Sequence, residues 1–374
     1  MKPFVKDLKS IFEEDKRSAT RLKMDMPILY RTDTHLEHWR VAQSVNVSQN
    51  GIRISTRHAV LTGSKIQLRF TLPGETHIFQ MEARVIWTKP VLGRGDLLEC
   101  GLIFEHVKDL SHQEKMIRFF ADEICTLALK YPNEFEIRPA RSLEELKEAY
   151  RLIYREYQKR TYCQEKSEKM HYNYFSFLPQ TRTFILKQKK EELIGTISLI
   201  PDSPLGLSME SLFPDEINQF RSEGKKMAEV SLLSLSRERG FSLANLRKLS
   251  TTFNLFRYLL RYAEKAGVTD LVIAVHPKHE SLYRYWDFDV IGPVKSYEGA
   301  CGNPALPMRM NISQFFKDNQ DKPLGTYCHL LPASELNRGH FVWKSDQIQE
   351  FLEPLLKSMS QEAKAYIQSL YPLD

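Results

Sequence analysis

Two arginines four positions apart, Arg17 and Arg21, precede a turn that reads Asn46-Val-Ser48-Gln-Asn-Gly51. A guanidinium is a planar fork that grips a phosphate, or the O6/N7 edge of guanine, in bidentate fashion. Asn46 and Ser48 add neutral donors, and Gly51 allows a backbone turn that would strain a residue with a Cβ. Each half has an ordinary reading as well, a solvent-facing arginine pair and a plain hairpin turn. The joint pattern is what points to a phosphate- or guanine-binding site.

A second constellation lies in MAEVSLLSLS, where period-2 alternation puts Glu229 and Ser231 on one face of a strand. A carboxylate there suits proton transfer or the orientation of an amine, and equally a solvated strand. A third is His276-Pro-Lys278-His279-Glu-Ser-Leu-Tyr283, directly after an apolar strand, where α/β sheets gather their ligands. His279 and Tyr283 share a helix face, and Lys278 can meet a phosphate or carboxylate. Packing explains Tyr283, Tyr285 and Trp286 just as well, and a helix start explains His279. The cysteines (Cys100, Cys125, Cys163, Cys301, Cys328) are odd in number and widely spaced, which predicts neither a disulfide framework nor a metal site and fits a reducing cytosol.

These residues need elements to hold them. From Arg40 to Phe104 the segments WRVAQSVNVS, GIRISTR, KIQLRFTLP, THIFQMEARVIWTK and LECGLIFEHV alternate between turn signals, predicting a small all-β barrel. Met116, Ile117, Phe120, Ile124, Leu127 and Leu129 then follow helical spacing behind Ser111 and Glu114, until YPN at 131–133. A first domain over residues 1–130 results. Beyond it come strand FEIRPA, helix LEELKEAYRLIYREYQKR, strands TFILKQ and LIGTISLI, the loop PDSPLGLSMESLFPDEI, strand MAEVSLLSLS, a helix from about Leu243 to Ala266, strand DLVIAVH and helix HESLYRYW. This alternation predicts an α/β (α+β) domain over 133–312, with a helical C-terminal extension over 313–374 packed on it.

Composition agrees with several cores: 374 residues exceed what one supports, and 42% hydrophobic with 27% charged residues excludes disordered and fibrous classes. No apolar run approaches the roughly 20 residues of a transmembrane helix. The start, MKPFVKDLKSIFEEDKR, lacks the apolar stretch of a signal peptide, so a cytoplasmic protein without a transmembrane segment is expected. With 53 Lys+Arg against 47 Asp+Glu and no basic block, no nucleic-acid partner is expected.

Arg17-Ser-Ala-Thr-Arg21 and Asn46-Val-Ser48-Gln-Asn-Gly51 are similar to the RxxxR and (D/N)xSxxG signatures of the PilZ domain, a resemblance running over roughly residues 12–125 and including the Trp87 strand and ECGLIFEHV. It implies that cyclic di-GMP binds through Arg17, Arg21, Asn46, Ser48 and Gly51. The second domain resembles the GNAT acyltransferases and, more closely, the FeeM-type N-acyl amino acid synthases, relatives of the acyl-homoserine-lactone synthases. The resemblance is carried by 195–217, MAEVSLLSLS and VIAVHPKHESLYRYWDFDVIG, with weaker support from YREYQKR and the final SLYP. It implies transfer of a long acyl chain from the phosphopantetheine of acyl carrier protein to the amine of an amino acid.

On that resemblance Glu229 is the general base or amine-orienting carboxylate and Ser231 its polar neighbour, while Lys278, His279 and Tyr283 stand toward the acyl donor. Leu205, Leu207, Met209, Leu212 and Phe213 suit an acyl channel or a loop anchor equally. Two departures stand out. ANLRKLSTTFNLF lacks the glycine turn that holds the pyrophosphate of coenzyme A, which favours a protein-bound donor over acyl-CoA. Leu232 replaces an arginine common in the related synthases, which leaves open a rival in which an inactive acyltransferase domain serves as a cyclic di-GMP-responsive adaptor. A third reading is an acetyl-CoA-dependent N-acetyltransferase.

Overall fold

In the computed structural model the described residues are 22–32, 38–48, 51–73, 76–105, 115–116, 118–123, 125–126, 135–188, 192–236, 244–337, 339–357 and 359–371. Arg17, Arg21, Ser111, Glu114 and the 131–133 turn fall outside them. The chain separates into two compact units, residues 1–123 with 239–247 and residues 124–238 with 248–374.

The first unit is an antiparallel barrel of strands β1 (Leu22–Lys23), β2 (Pro27–Thr32), β3 (Arg40–Ser48), β4 (Gly51–Thr56), β5 (Lys65–Thr71), β6 (Ile78–Pro90) and β7 (Leu98–Glu105). The order β3-β2-β5-β6-β7-β4 closes on itself through the β3–β4 pairing, and β1 lies along β3 outside the ring. Closure leaves no edge in the ring, and alternation fills its interior. In β6, Phe79, Met81, Ala83 and Val85 point in, and they meet Ile28, Tyr30, Ile54, Leu68 and Leu102. Tyr30 satisfies its buried hydroxyl on Thr56 Oγ1 at 2.8 Å, and Met116, Phe119 and Phe120 of the following helical segment complete the core.

The second unit is built on strands β8 (Phe135–Pro139), β9 (Arg182–Gln188), β10 (Leu193–Pro201), β11 (Met227–Leu235), β12 (Asp270–Val275), β13 (Asp289–Val290), β14 (Lys295–Tyr297) and β15 (Asn303–Asn311), in the order β13-β15-β12-β11-β10-β9-β8 with β14 on β15. Among the described residues only β11 and β12 pair in parallel, and the helix Ala244–Lys265 lies in the crossover that parallel neighbours need. Another helix, Leu143–Gln158, begins where the Ser142 side chain accepts from Glu145 N–H. It buries Leu146, Tyr150 and Ile153 in a cluster that also takes in Ile348, Phe351 and Ile367. Those last three come from the helices Ser345–Leu352 and Gln361–Leu370, so the helical tail packs on this unit's own core.

Candidate functional site

In the barrel, a bulge in β3 falls between Ser44 and Asn46: Ser44 faces Ile54 while Asn46 faces Arg53. Bulges re-aim side chains, and here Asn46, Val47 and Ser48 are buried consecutively. Ser48 Oγ donates to Gly51 O at 3.1 Å, bracing the turn. Gly51 is required for a reason other than the expected strained turn: a Cβ there would stand 2.2 Å from Leu102 O, so the constraint is the close approach of β4 to β7. Leu22, the residue after Arg21, pairs with Val47, and Lys23 with Asn46, so the chain leaving the arginine pair runs beside the Asn-Ser motif. Next to the motif, Asp25, Gln43, Ser44, Val45, Ser55 and Arg57 help line a cavity of about 650 Å³.

In the second unit, β11 pairs with β12 only from Met227 to Glu229, while β12 goes on pairing with β15 as far as Val275. Among the described residues β11 therefore has no ladder partner on its β12 side after Glu229, and the two strands part there. Such a gap exposes backbone N–H and C=O groups to whatever enters. Glu229 sits at its closed end, only 4% exposed. Ser208 Oγ donates to its Oε1 at 2.5 Å and Met209 N–H to its Oε2 at 3.1 Å. Burial pushes this carboxyl above the usual carboxylate range, against the lowering effect of the Ser208 and Met209 hydrogen bonds. Ser231 is half-buried and pairs across from Ser198.

The loop that delivers Ser208 is held by Arg221, which donates to both oxygens of Asp202 at 2.9 and 3.0 Å and to both of Glu210 at 2.9 and 2.8 Å. Gly206 adopts φ +70°, and a Cβ there would meet Glu210 Oε2 at 2.2 Å. Leu207, Met209 and Phe213 are buried in one cluster, so they anchor the loop. Tyr297 on β14 packs against that cluster. Sequence reasoning missed Ser208, Arg221 and Tyr297, although Ser208 stands inside the distinctive PDSPLGLSMES run.

Lys278, His279 and Tyr283 do not converge on one point. The Lys278 Nζ lies 5.5 Å from the ring centre of Tyr162, and His279 is exposed with its ring 6.4 Å from that of His276. Tyr283 is buried with its ring 5.9 and 5.8 Å from those of Phe256 and Phe288. No three His, Cys, Asp or Glu side chains are grouped to hold a metal among the described residues. Among them too, no helix is long and apolar enough to cross a membrane.

Leu232 follows Ser231 at a bulge in β11, where Ser231 faces Ser198 and Ser234 faces Thr196. It takes φ +54°, a left-handed conformation that costs a side-chain-bearing residue about 1–3 kcal/mol. Its side chain repays part of this by packing with Tyr150, Ile153, Ile200 and Phe351. Leu232→Arg would place a charge in that apolar cluster, and a loss of about 3 kcal/mol or more is expected in denaturant unfolding. An unchanged unfolding midpoint would contradict this placement.

Family models match the chain in two places: the PilZ domain over residues 15–122 and the N-acyl amino acid synthase FeeM over residues 148–311. No curated protein matches it. Among solved structures, FeeM, an N-acyl amino acid synthase from uncultured soil microbes, is 28% identical, with 49% of this chain and 93% of that one covered at a TM-score of 0.41. The acyl-homoserine-lactone synthase LasI is 16% identical, covering 48% of this chain and 90% of its own at 0.37. A PilZ domain of CeSA from a cellulose-synthesizing bacterium is 17% identical, covering 30% and 98% at 0.21. The chain thus joins a PilZ domain to an N-acyltransferase domain of the FeeM N-acyl amino acid synthase type.

Proposed function

We propose that the protein is a cytoplasmic, cyclic di-GMP-responsive N-acyltransferase that moves a long acyl chain from acyl carrier protein to the amine of an amino acid. The observation that carries the catalytic half is the buried Glu229 carboxylate, fixed by Ser208 and Met209 where β11 and β12 part. Amide formation from a thioester needs a neutral amine, donors for the developing oxyanion and a slot for the pantetheine arm. Glu229 supplies the first, and the unpaired edge of β11 suits the other two. This intact arrangement favours an active enzyme over an adaptor, since Leu232 packs in a cluster that contains neither Ser208 nor Met209. On the PilZ side, Asn46 and Ser48 lie buried next to Ser44 and Val45, which line the cavity, and Arg17 and Arg21 of the sequence motif carry the charge for a phosphate. Lys278 and His279 stand on the donor side of this reading.

The donor is the direct test. The segment ANLRKLSTTF, from the start of the 244–265 helix, contains no glycine, and the sequence leading into it from Leu235 has one, Gly240, rather than the paired small residues that let a pyrophosphate approach backbone N–H groups. Long-chain acyl carrier protein is expected to support amide formation with purified protein, and acetyl-CoA is not. Robust turnover on acetyl-CoA alone would overturn the assignment of the donor.

A further inference from the structure

The barrel cavity beside the Asn-Ser motif has an acceptor side and a donor side. Three hydrogen bonds tie residues 24–26, the chain just past β1, to Ser44 of β3. Met26 N–H donates to Ser44 Oγ at 3.0 Å, Ser44 Oγ–H to Met24 O at 2.6 Å, and Ser44 N–H to Met26 O at 2.9 Å. They hold Asp25 beside β3, where the Gln43 amide donates to its Oδ1. That brace orients the carboxylate and still leaves lone pairs on both of its oxygens.

Gln43 lies across the ladder from Ser55, and β4 in turn pairs with β7 at Thr56 and Leu98. The loop leading into β7 brings Arg94 and Asp96 to the far side of the same cavity, where Arg57 stands 3.5 Å from Asp96. The Arg57 and Asp96 side chains are 75% and 69% exposed, so that pair is weak and Arg57 can turn to a ligand. At about 650 Å³ the cavity falls in the size range of small-molecule sites, roughly 300–1,000 Å³. A phosphate would be repelled by Asp25, so the group that faces this carboxylate must bring N–H donors. Guanine does so: N1–H and the N2 amino group stand side by side on one edge, and the acceptors O6 and N7 lie on another.

We propose that this cavity seats a guanine of cyclic di-GMP, with Asp25 accepting from N1–H and N2–H and the Arg57 and Arg94 side facing O6 and N7. The inference rests on the reading of the barrel as a cyclic di-GMP site. Asp25 then determines base specificity, and Gln43 is a positioning residue. Adenine offers an acceptor, its own N1, where guanine offers N1–H, so its edge repels the carboxylate. Hypoxanthine keeps N1–H, O6 and N7 and lacks the N2 amino group, so it loses one of the two bonds to Asp25.

Isothermal calorimetry on the full-length protein with cyclic di-GMP, cyclic di-IMP and cyclic di-AMP tests this. Wild type should bind cyclic di-GMP about 10-fold or more tighter than cyclic di-IMP, and cyclic di-AMP weakest of the three. Asp25→Asn should weaken cyclic di-GMP by about 10- to 100-fold and bring its affinity within a few-fold of that for cyclic di-IMP. Gln43→Ala, which removes only the brace, should narrow the same ratio part-way. Arg17→Ala should weaken both ligands by a similar factor, because both keep the phosphates, O6 and N7. Thermal melting matched to wild type shows that the variants fold. A wild type that binds cyclic di-IMP or cyclic di-AMP as tightly as cyclic di-GMP would overturn this base site and leave the ligand reading in place. So would an Asp25→Asn variant that keeps the wild-type ratio. A wild type that binds none of the three would overturn the ligand reading and this inference together.

Discussion

Glu229→Gln is expected to lower kcat with an amino acid acceptor by at least about 100-fold, because glutamine keeps the shape of the side chain and cannot take a proton. The amide oxygen can accept from Met209 N–H while the Ser208 hydroxyl turns to accept from the amide NH2, so melting should move little. The pH dependence gives a second, sharper readout. A base works when ionised, so the wild-type rate should rise with pH as Glu229 loses its proton. Burial holds that carboxyl above the usual carboxylate range, and the acid limb should therefore lie above the position of an exposed glutamate. In the variant this limb should vanish. A variant with the same limb, or with wild-type kcat, would assign the proton transfer elsewhere.

Arg17→Ala and Arg21→Ala are each expected to weaken cyclic di-GMP binding by tens-fold or more. Losing one buried, charge-assisted fork costs about 2–5 kcal/mol, and every 1.4 kcal/mol or so is tenfold in affinity. Asn46→Ala should cost less, since a neutral donor makes a weaker bond than an ionised one. Isothermal calorimetry measures all three; no heat with wild type, or equal affinities throughout, would remove the ligand from the account. If cyclic di-GMP changes acyl-donor affinity, the donor must change cyclic di-GMP affinity by the same factor, which the same titrations read directly.

Strands β4 to β6 are legible because one face of each meets the barrel interior and alternation survives in the sequence, while β3 and β7, with three consecutive buried residues each, are marked by their turn signals. Strands β1 and β2 were not read. β1 has two residues, too few to alternate, and β2 opens on Pro27. β15 was hidden by Pro304 and Pro307, residues that argue against a strand inside a sheet. Glu229 could be singled out by period 2, which holds up to the bulge at Leu232. Ser208 could not, because its place arises from a loop pinned by Arg221 and brought to Glu229 only by the fold. Tyr283 is ambiguous for the opposite reason: helical spacing cannot tell a ligand face from a packing face, and the fold sets its ring beside Phe256 and Phe288.

The central claim is that this chain makes N-acylated amino acids using Glu229. Mass spectrometry of lipids extracted from a bacterial host expressing wild-type protein or Glu229→Gln at matched levels tests it most directly. A long-chain N-acyl amino acid is expected in the wild-type extract and is expected to be absent or reduced about 100-fold in the variant. The same lipid profile in both extracts would contradict it.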